Sequence, residues 1–421
     1  MRFLFVAFLF CSFSFNALAN DVNVKVETPL EYTEWLESLK KEMIKRGISK
    51  NTIRRVYTRD YYKPDPEGVK LDRKQTEFVL TTSDYLNRVV REKRVDEARK
   101  RYKELYSSFK KLEEKYGVGF HYLIAFWGIE TNFGETFGKF ELIEALTTLA
   151  YDERRRKFFT EELYQALKII DKYDIDHTKM ESSWAGAMGH FQFMPSTFNA
   201  YAVDYDGDGK INVWSSFEDA VGSAANYLSE MGWKEGEEWG MEVTLLWNFE
   251  YENTGLGNVK TIKEWDKKGV RLLNGEKIGV ESGTKASIIV PEGKKGQAYM
   301  VFDNFRKIMR WNRSENYALA VGILADYVKS GKKWKAFEKH ASVQVKTEDV
   351  MKFQAFFNKF FNGKLDEDGT IGSKTKEAIK QVQKKAKMPQ DGYLSYQLMQ
   401  KISNYDPEIG FTVPVPVRKN Q

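Results

Sequence analysis

Three stretches of the sequence carry residue types that could do chemistry. Glu130 stands in FWGIETNFG, with Phe126, Trp127 and Phe133 close by. Breaking a glycosidic bond needs an acid to protonate the leaving oxygen, and such an acid keeps its proton near neutral pH only in an apolar pocket. The three aromatics are suited to wall that pocket; the plainer alternative is a solvated helix glutamate. SSWAGAMGHFQFMPSTF at 182–198 sets Ser183 and Gln192 among aromatics and small residues. Both side chains could orient a sugar, and Gly186 and Gly189 would let backbone approach a ligand closely. The competing reading is a tightly packed helix entry that uses small residues for clearance. DYDGDGKINVW at 204–214 places Asp204, Asp206 and Asp208 at positions 1, 3 and 5 of a calcium-type loop. Gly209 falls at 6, the carbonyl of Lys210 at 7 and Asn212 at 9. The twelfth position, normally a bidentate carboxylate, is Ser215, and Glu218 stands three residues on, where a capping box with Ser215 would put it. The expectation is a structural Ca2+ of reduced affinity, against a tight acidic turn without metal. His121, His177, His190 and His340 show no zinc spacing, and each is read as a packed or surface residue. H-E-x-x-H, G-x-S-x-G and phosphate-loop patterns are absent.

The elements that must position these groups are mostly helices. From Thr33 to about Ile175 the pattern is helical and charged, with Trp35, Leu36 and Leu39, then Leu105, Phe109 and Leu112, at helical spacing. YYKPDPEG at 61–68 reads as a loop by its prolines and glycine. Residues 118–130 form a strongly apolar helix with Leu123, Trp127 and Glu130 on one face. Another helix starts at Phe217, with Ala220, Val221, Ala224 and Leu228 on one side, and a further one runs from about Ser314 to Lys329. Between them, SIIV (287–290) and AYMVF (298–302) mark a small β-rich insertion over 241–305. GKKWKAFEKH at 331–340 reads as a charged linker. Phe353, Phe356, Phe357, Phe360 and Phe361 then open a second, small module of three helices, and the tail from Asp406 reads as extended.

The 421 residues are 42% apolar and 30% charged, which supports a real core in two or three domains. A net charge of +6 is too small and dispersed to indicate nucleic acid. MRFLFVAFLFCSFSFNALA at 1–19 has the order of a secretory signal cleaved after Ala19. Leu9 and Phe10 before Cys11 argue against lipidation, and removal of 1–19 leaves a chain without cysteine. The expected product is a soluble, unlipidated periplasmic protein with no integral membrane segment.

GIETNFG and SSWAGAMGHFQFMPSTFNAYAVDYDGDGKINVWSSFEDAVGSAANYL together resemble the membrane-bound lytic murein transglycosylase B family (glycoside hydrolase family 103), over roughly residues 30–330. The module at 346–404, with Val350, Gln354, DGTIGSKTKEAIKQVQ and Asp391-Gly392, resembles the three-helix peptidoglycan-binding domain. The resemblance implies a mainly α protein: a lysozyme-like catalytic core with a small β-rich insertion, plus a C-terminal three-helix module. The implied layout is a signal peptide 1–19, a catalytic region 20–332 with the loop 204–215, a linker 333–345, a binding domain 346–404 and a tail 405–421.

The resemblance further implies Glu130 as the single catalytic acid/base. It places Tyr85, Arg154, Arg155, Ser183, Gln192, Trp311, Asn312 and Tyr317 along the substrate groove. Trp311 stands where the family has Tyr, and this sequence is one residue shorter just before Arg154 and Arg155. The metal positions are Asp204, Asp206, Asp208, Lys210 and Ser215. The implied activity is lytic cleavage between N-acetylmuramic acid and N-acetylglucosamine in peptidoglycan, giving 1,6-anhydro-muramoyl ends. The expectation is that no cofactor takes part in catalysis and that a monomer acts on peptidoglycan glycan strands. The motif segments offer no obvious partner carboxylate for Glu130, which suits assistance by the sugar's own N-acetyl group. The alternatives are a hydrolytic muramidase and a non-catalytic wall-binding protein.

Overall fold

The computed structural model describes residues 29–57, 64–73, 80–173, 175–279, 283–339 and 345–411. The expected signal segment 1–19, His340 and the end of the tail lie outside the described residues. The chain forms two compact units interleaved in sequence. One comprises Met1–Gln75, Glu92–Gly236 and Lys307–Trp334; the other comprises Thr76–Arg91, Glu237–Arg306 and Lys335–Gln421. The mainly α fold class, with a small β-rich insertion and three C-terminal helices, holds. Among the described residues no helix is long and apolar enough to cross a membrane.

The first unit is built around helix Phe120–Thr131, whose twelve residues are all buried. A helix that is apolar all round has no solvent face and must be surrounded. Helices Glu92–Tyr116 and Glu315–Ser330 pack against it. The long helix Glu92–Tyr116 turns Val95, Ala98, Phe109 and Leu112 inward, buries Arg94 beside them and carries most of its other charges outward. Helix Leu142–Tyr151 lies on Arg156–Tyr173, which also contacts Pro195–Tyr201. Helix Phe217–Glu230 buries Ala220, Val221, Ala224 and Leu228, as their spacing predicts. A short antiparallel ribbon pairs Phe140 with Ser182 and Glu141 with Glu181. The loop expected at 61–68 gives way at Pro66, which begins helix Pro66–Arg73. A proline fits the first helical position because its missing N–H has no partner there. The Asp65 carboxylate accepts from the amides of Glu67 (2.9 Å) and Gly68 (3.3 Å) and so caps the turn.

The second unit holds the β-rich insertion. Its five-stranded antiparallel sheet runs Lys260–Thr261, Lys285–Ile289, Ala298–Val301, Gly240–Leu245, Val270–Arg271. Val243, Phe249, Ile262, Trp265, Ile288 and Met300 form its core. The Trp265 indole N–H is satisfied by the Ala286 carbonyl at 2.9 Å. Helix Thr82–Val89 belongs to the same unit, and residues of the expected linker are strapped to it. The Phe337 amide donates to Asn87 Oδ1 (3.0 Å), Asn87 Nδ2 returns a bond to the Phe337 carbonyl (2.9 Å), and Lys339 pairs with Asp84 at 2.7 Å.

The C-terminal helices Thr347–Phe360, Ser373–Lys385 and Tyr396–Ser403 close over Val350, Phe353, Phe357, Ile379, Val382 and Leu398. One turn is built twice here. Gln354 Nε2 donates to Asp368 Oδ1 (2.9 Å) and the Thr370 carbonyl (3.1 Å), while its Oε1 accepts from the Gly369 amide. Gln383 does the same with Asp391 Oδ1 (2.6 Å), the Tyr393 carbonyl (3.1 Å) and the Gly392 amide. The second turn is held by the β-rich region. Asp391 Oδ2 accepts from the Lys294 amide at 3.0 Å. Lys380, only 7% exposed, donates to the carbonyls of Thr254 (2.5 Å) and Glu252 (3.4 Å). The tail, expected to be extended from Asp406, instead forms a hairpin that pairs Tyr405 with Phe411 and Asp406 with Gly410. Two causes are visible: Asp406 Oδ1 accepts from the Glu408 amide, and Tyr405 packs edge-on against Phe356.

Candidate active site

Glu130 lies in the last turn of the central helix and is 2% exposed. Phe126 and Trp127, one turn back, share its side of the helix. The helix stops two residues later at Asn132, which takes a left-handed conformation (φ 50°), as does Phe133 (φ 62°). Tyr317, on helix Glu315–Ser330, donates its phenol proton to Glu130 Oε1 at 2.5 Å. Ser314 caps that helix by accepting from the Tyr317 amide, so the cap fixes where the phenol starts. The result is a buried carboxyl group whose Oε1 is held by the Tyr317 phenol.

Trp311 stacks obliquely on Phe126 with centroids 4.6 Å apart, and its ring also meets Phe193 and Tyr227. It therefore supports the wall behind the glutamate helix. Asn312 is buried, and its Oδ1 accepts from the Ser314 amide at 3.0 Å. The Trp311–Asn312 pair thus sets the start of the helix that carries Tyr317.

The segment 182–198 is a compact turn. Ser183 Oγ accepts from the Ala187 amide (2.9 Å), and Met188 pairs with both Ser182 and Phe193. Gln192, at φ 51°, donates from Nε2 to the carbonyls of Phe137 (3.2 Å) and Gly189 (3.1 Å). The two glycines serve the chain's own packing. A Cβ at Gly186 would meet the Leu146 side chain at 2.5 Å, and one at Gly189 would meet the Val213 carbonyl oxygen at 2.3 Å. The packing alternative raised by the sequence therefore accounts for both.

His190, read from sequence as a packed residue, ties this turn to the glutamate helix. Trp127 Nε1 donates to His190 Nδ1 at 3.0 Å, and Thr131 Oγ1 donates to the His190 carbonyl at 2.8 Å. Burial pushes the imidazole down to about 4. Nothing in the spacing of the sequence pairs Trp127 with His190, since the contact spans 63 residues.

Arg154 and Arg155 converge on Asp72. Arg154 bonds its carbonyl (2.8 Å) and lies 3.4 Å from Oδ2, while Arg155 lies 3.3 Å from Oδ1. Burial pushes the Asp72 carboxyl up, against the pull of both guanidinium groups. Burial likewise lowers Arg155. Tyr85 belongs to the other unit, buried on helix Thr82–Val89.

The acidic loop has the internal bonds of a calcium-type turn. Asp204 accepts from the amides of Gly207 (2.7 Å) and Gly209 (2.9 Å), Asp206 from Asp208, and Asp208 from Lys210. Ser215 Oγ accepts from Asn212 Nδ2. The expected capping box of Ser215 with Glu218 does not form. Ser216 caps helix Phe217–Glu230 by accepting from the Asp219 amide at 3.1 Å. That places Asp219 behind the loop, accepting from the amides of Tyr205 and Asn212 at 2.8 Å each. Asp204, Asp206 and Asp219 bring carboxylate oxygens within 4.8 Å of one another. An all-oxygen set of this kind suits a hard cation such as Ca2+. Sequence reasoning missed Asp219 because it lies past the twelfth position.

Comparison with known proteins follows these lines. Residues 31–326 match the family model described as transglycosylase SLT domain, and residues 346–402 match that of a peptidoglycan binding domain. Over 217 residues the chain is 34% identical to membrane-bound lytic murein transglycosylase B of Escherichia coli strain K12. The match takes in 51% of this chain and 58% of that protein. The fold is similar to that of SltB3 from Pseudomonas aeruginosa, solved in complex with NAG-anhNAM-pentapeptide. The TM-score is 0.83 at 35% identity, covering 88% of this chain and 99% of that one. It is also similar to Escherichia coli lytic transglycosylase Slt35 in complex with calcium. There the TM-score is 0.61 at 26% identity, covering 70% of this chain and 92% of the other.

Proposed function

The chain belongs to the transglycosylase SLT domain family, and from that premise we propose that it is a lytic murein transglycosylase. It cleaves the β-1,4 bond between N-acetylmuramic acid and N-acetylglucosamine in peptidoglycan and leaves a 1,6-anhydro-muramoyl end. The observation that carries this reading is the buried carboxyl of Glu130 fixed by the Tyr317 phenol. Glu130 protonates the glycosidic oxygen, and the N-acetyl carbonyl of the muramoyl residue attacks C1 as the bond breaks. Glu130, now a carboxylate, takes the proton of the C6 hydroxyl, and that oxygen closes on C1 as the N-acetyl oxygen departs. The Tyr317 hydrogen bond is charge-assisted while Glu130 is ionised, which supports the second half of the cycle. Tyr317→Phe is therefore expected to lower kcat by roughly 10–100-fold, the scale of a hydrogen bond to a charged group. A loss below twofold would remove Tyr317 from the mechanism.

In this reading Ser183, Gln192, Trp311 and Asn312 shape the wall around Glu130. Tyr85, Arg154 and Arg155 serve contacts to the glycan or its peptides. Residues 1–19 direct export to the periplasm, 20–332 form the catalytic region, and 346–404 anchor the monomer on the wall. The deciding experiment is mass spectrometry of fragments released from purified sacculi. Soluble products lighter by one water than the hydrolytic ones are expected. Full-mass reducing ends would make the protein a muramidase.

Asp204, Asp206 and Asp219, with Asp208, the Lys210 carbonyl and Ser215 around them, would hold Ca2+. The ion would clamp the loop and take no part in bond cleavage. Calcium at about 100 times its Kd would then add about 2.7 kcal/mol to stability. Asp219→Asn is expected to abolish the calcium-dependent rise in Tm. An unchanged rise would exclude Asp219 as a ligand.

A further inference from the structure

Backbone strain among the described residues gathers at the end of the glutamate helix and in the turn tied to it. Among the described residues, five that are not glycine adopt positive φ, and Asn132, Phe133 and Gln192 are three of them. Such conformations persist only where the surroundings over-determine them. Asn132 and Phe133 end the glutamate helix, while Gln192 sits in the turn at 189–193. One residue bridges the two.

His190 is held from four sides. Its amide donates to the Val213 carbonyl at 3.0 Å, and its carbonyl accepts from Thr131 Oγ1. Its ring stands edge-on to Phe137 and Phe217, with centroids 4.8 and 5.5 Å away. It also covers Gly134 so closely that a Cβ there would lie 2.7 Å from Cε1. Any side chain could keep the two backbone bonds. Only the acceptor at Nδ1, which receives the Trp127 indole proton, depends on histidine. Trp127 precedes Glu130 by one helical turn on the same face.

We propose that His190 is a positioning residue for Glu130: its Nδ1, as a neutral acceptor, holds the Trp127 indole and thereby registers the last turn of the glutamate helix against the turn that carries Gln192. The inference rests on the reading of Glu130 as the acid/base. An accepting Nδ1 requires the proton on Nε2, and the half-buried ring, packed among Trp127, Phe137 and Phe217, stays neutral at working pH. Losing the acceptor strands a buried indole N–H and lets the helix end shift.

The test compares His190→Phe, His190→Asn and His190→Gln in the full-length protein, with kcat and KM measured on soluble glycan fragments. The Asn amide oxygen can stand where Nδ1 stands, whereas that of Gln reaches toward the position of Nε2. His190→Phe and His190→Gln are expected to lower kcat by roughly 10–100-fold, the scale of a small misplacement of a reacting group, with KM within about twofold. His190→Asn is expected to recover kcat to within about threefold of the parent. In a Trp127→Phe background, His190→Phe is expected to add less than about twofold, because the donor is already gone. Parent-like kcat in His190→Phe would overturn the proposal, as would equal losses in the Asn and Gln variants. Nitrogen NMR of the parent gives a readout independent of turnover: an Nδ1 that carries a proton, or an indole N–H of Trp127 that exchanges freely, also overturns it. Failure of the underlying reading shows elsewhere, as absent or water-added products from the parent itself.

Discussion

Glu130→Gln is expected to lower release of anhydro fragments by roughly 10²–10⁴-fold, the contribution of a positioned general acid/base. The amide keeps the shape of the carboxyl, and its oxygen can still accept from the Tyr317 phenol, so the pocket survives. It cannot deliver a proton to the leaving oxygen or collect one from the C6 hydroxyl, and both halves of the reaction fail together. The variant should therefore bind sacculi as the parent does while releasing almost nothing. A variant that keeps a tenth of the parent rate would show that another group supplies the proton. The contrast with Tyr317→Phe is informative, since that change leaves the proton in place and removes only its support.

The second large effect concerns the wall itself. Deleting residues 346–421 is expected to lower activity on intact sacculi by about 100-fold, the low end of what linked binding modules contribute through effective concentration. Activity on soluble fragments should stay within about threefold. The deletion uncovers the carbonyls of Thr254 and Glu252 that Lys380 holds in the intact chain, and water can satisfy both. A melting curve of the truncated chain separates loss of anchoring from loss of folding. Equal losses on both substrates would end the anchoring role.

Much of this architecture is legible in one dimension. The fully apolar 118–130 stretch marks a surrounded helix, the phenylalanine spacing at 353–361 marks the first helix of the module, and β-branched runs mark the central strands. Glu130 stands out because aromatics crowd it in sequence as they do in space. What escapes has a common cause, in that the partner is distant in the chain. Trp127 finds His190, Arg154 finds Asp72 and Lys380 finds Thr254, and no local pattern announces any of these. The two-residue strands at 260–261 and 270–271 are too short for alternation to register. Two errors are of another kind. Pro66 reads as a breaker and in fact opens a helix, and Ser215 reads as a cap where Ser216 does that work. The second hid Asp219, whose place behind the loop follows directly from the cap.

The paired Gln–Asp–Gly turns of the C-terminal helices bear on how portable those helices are. Fused to a foreign enzyme, they would fold on the same phenylalanine core and keep both internal turns. Yet they would arrive with Lys380 and Asp391 Oδ2 stripped of the backbone they grip here. A graft would thus expose the Lys380 ammonium, which the native chain keeps covered, beside a carboxylate oxygen that has lost its backbone donor. Chimeras made from this module would differ in surface from the original even though every residue was copied.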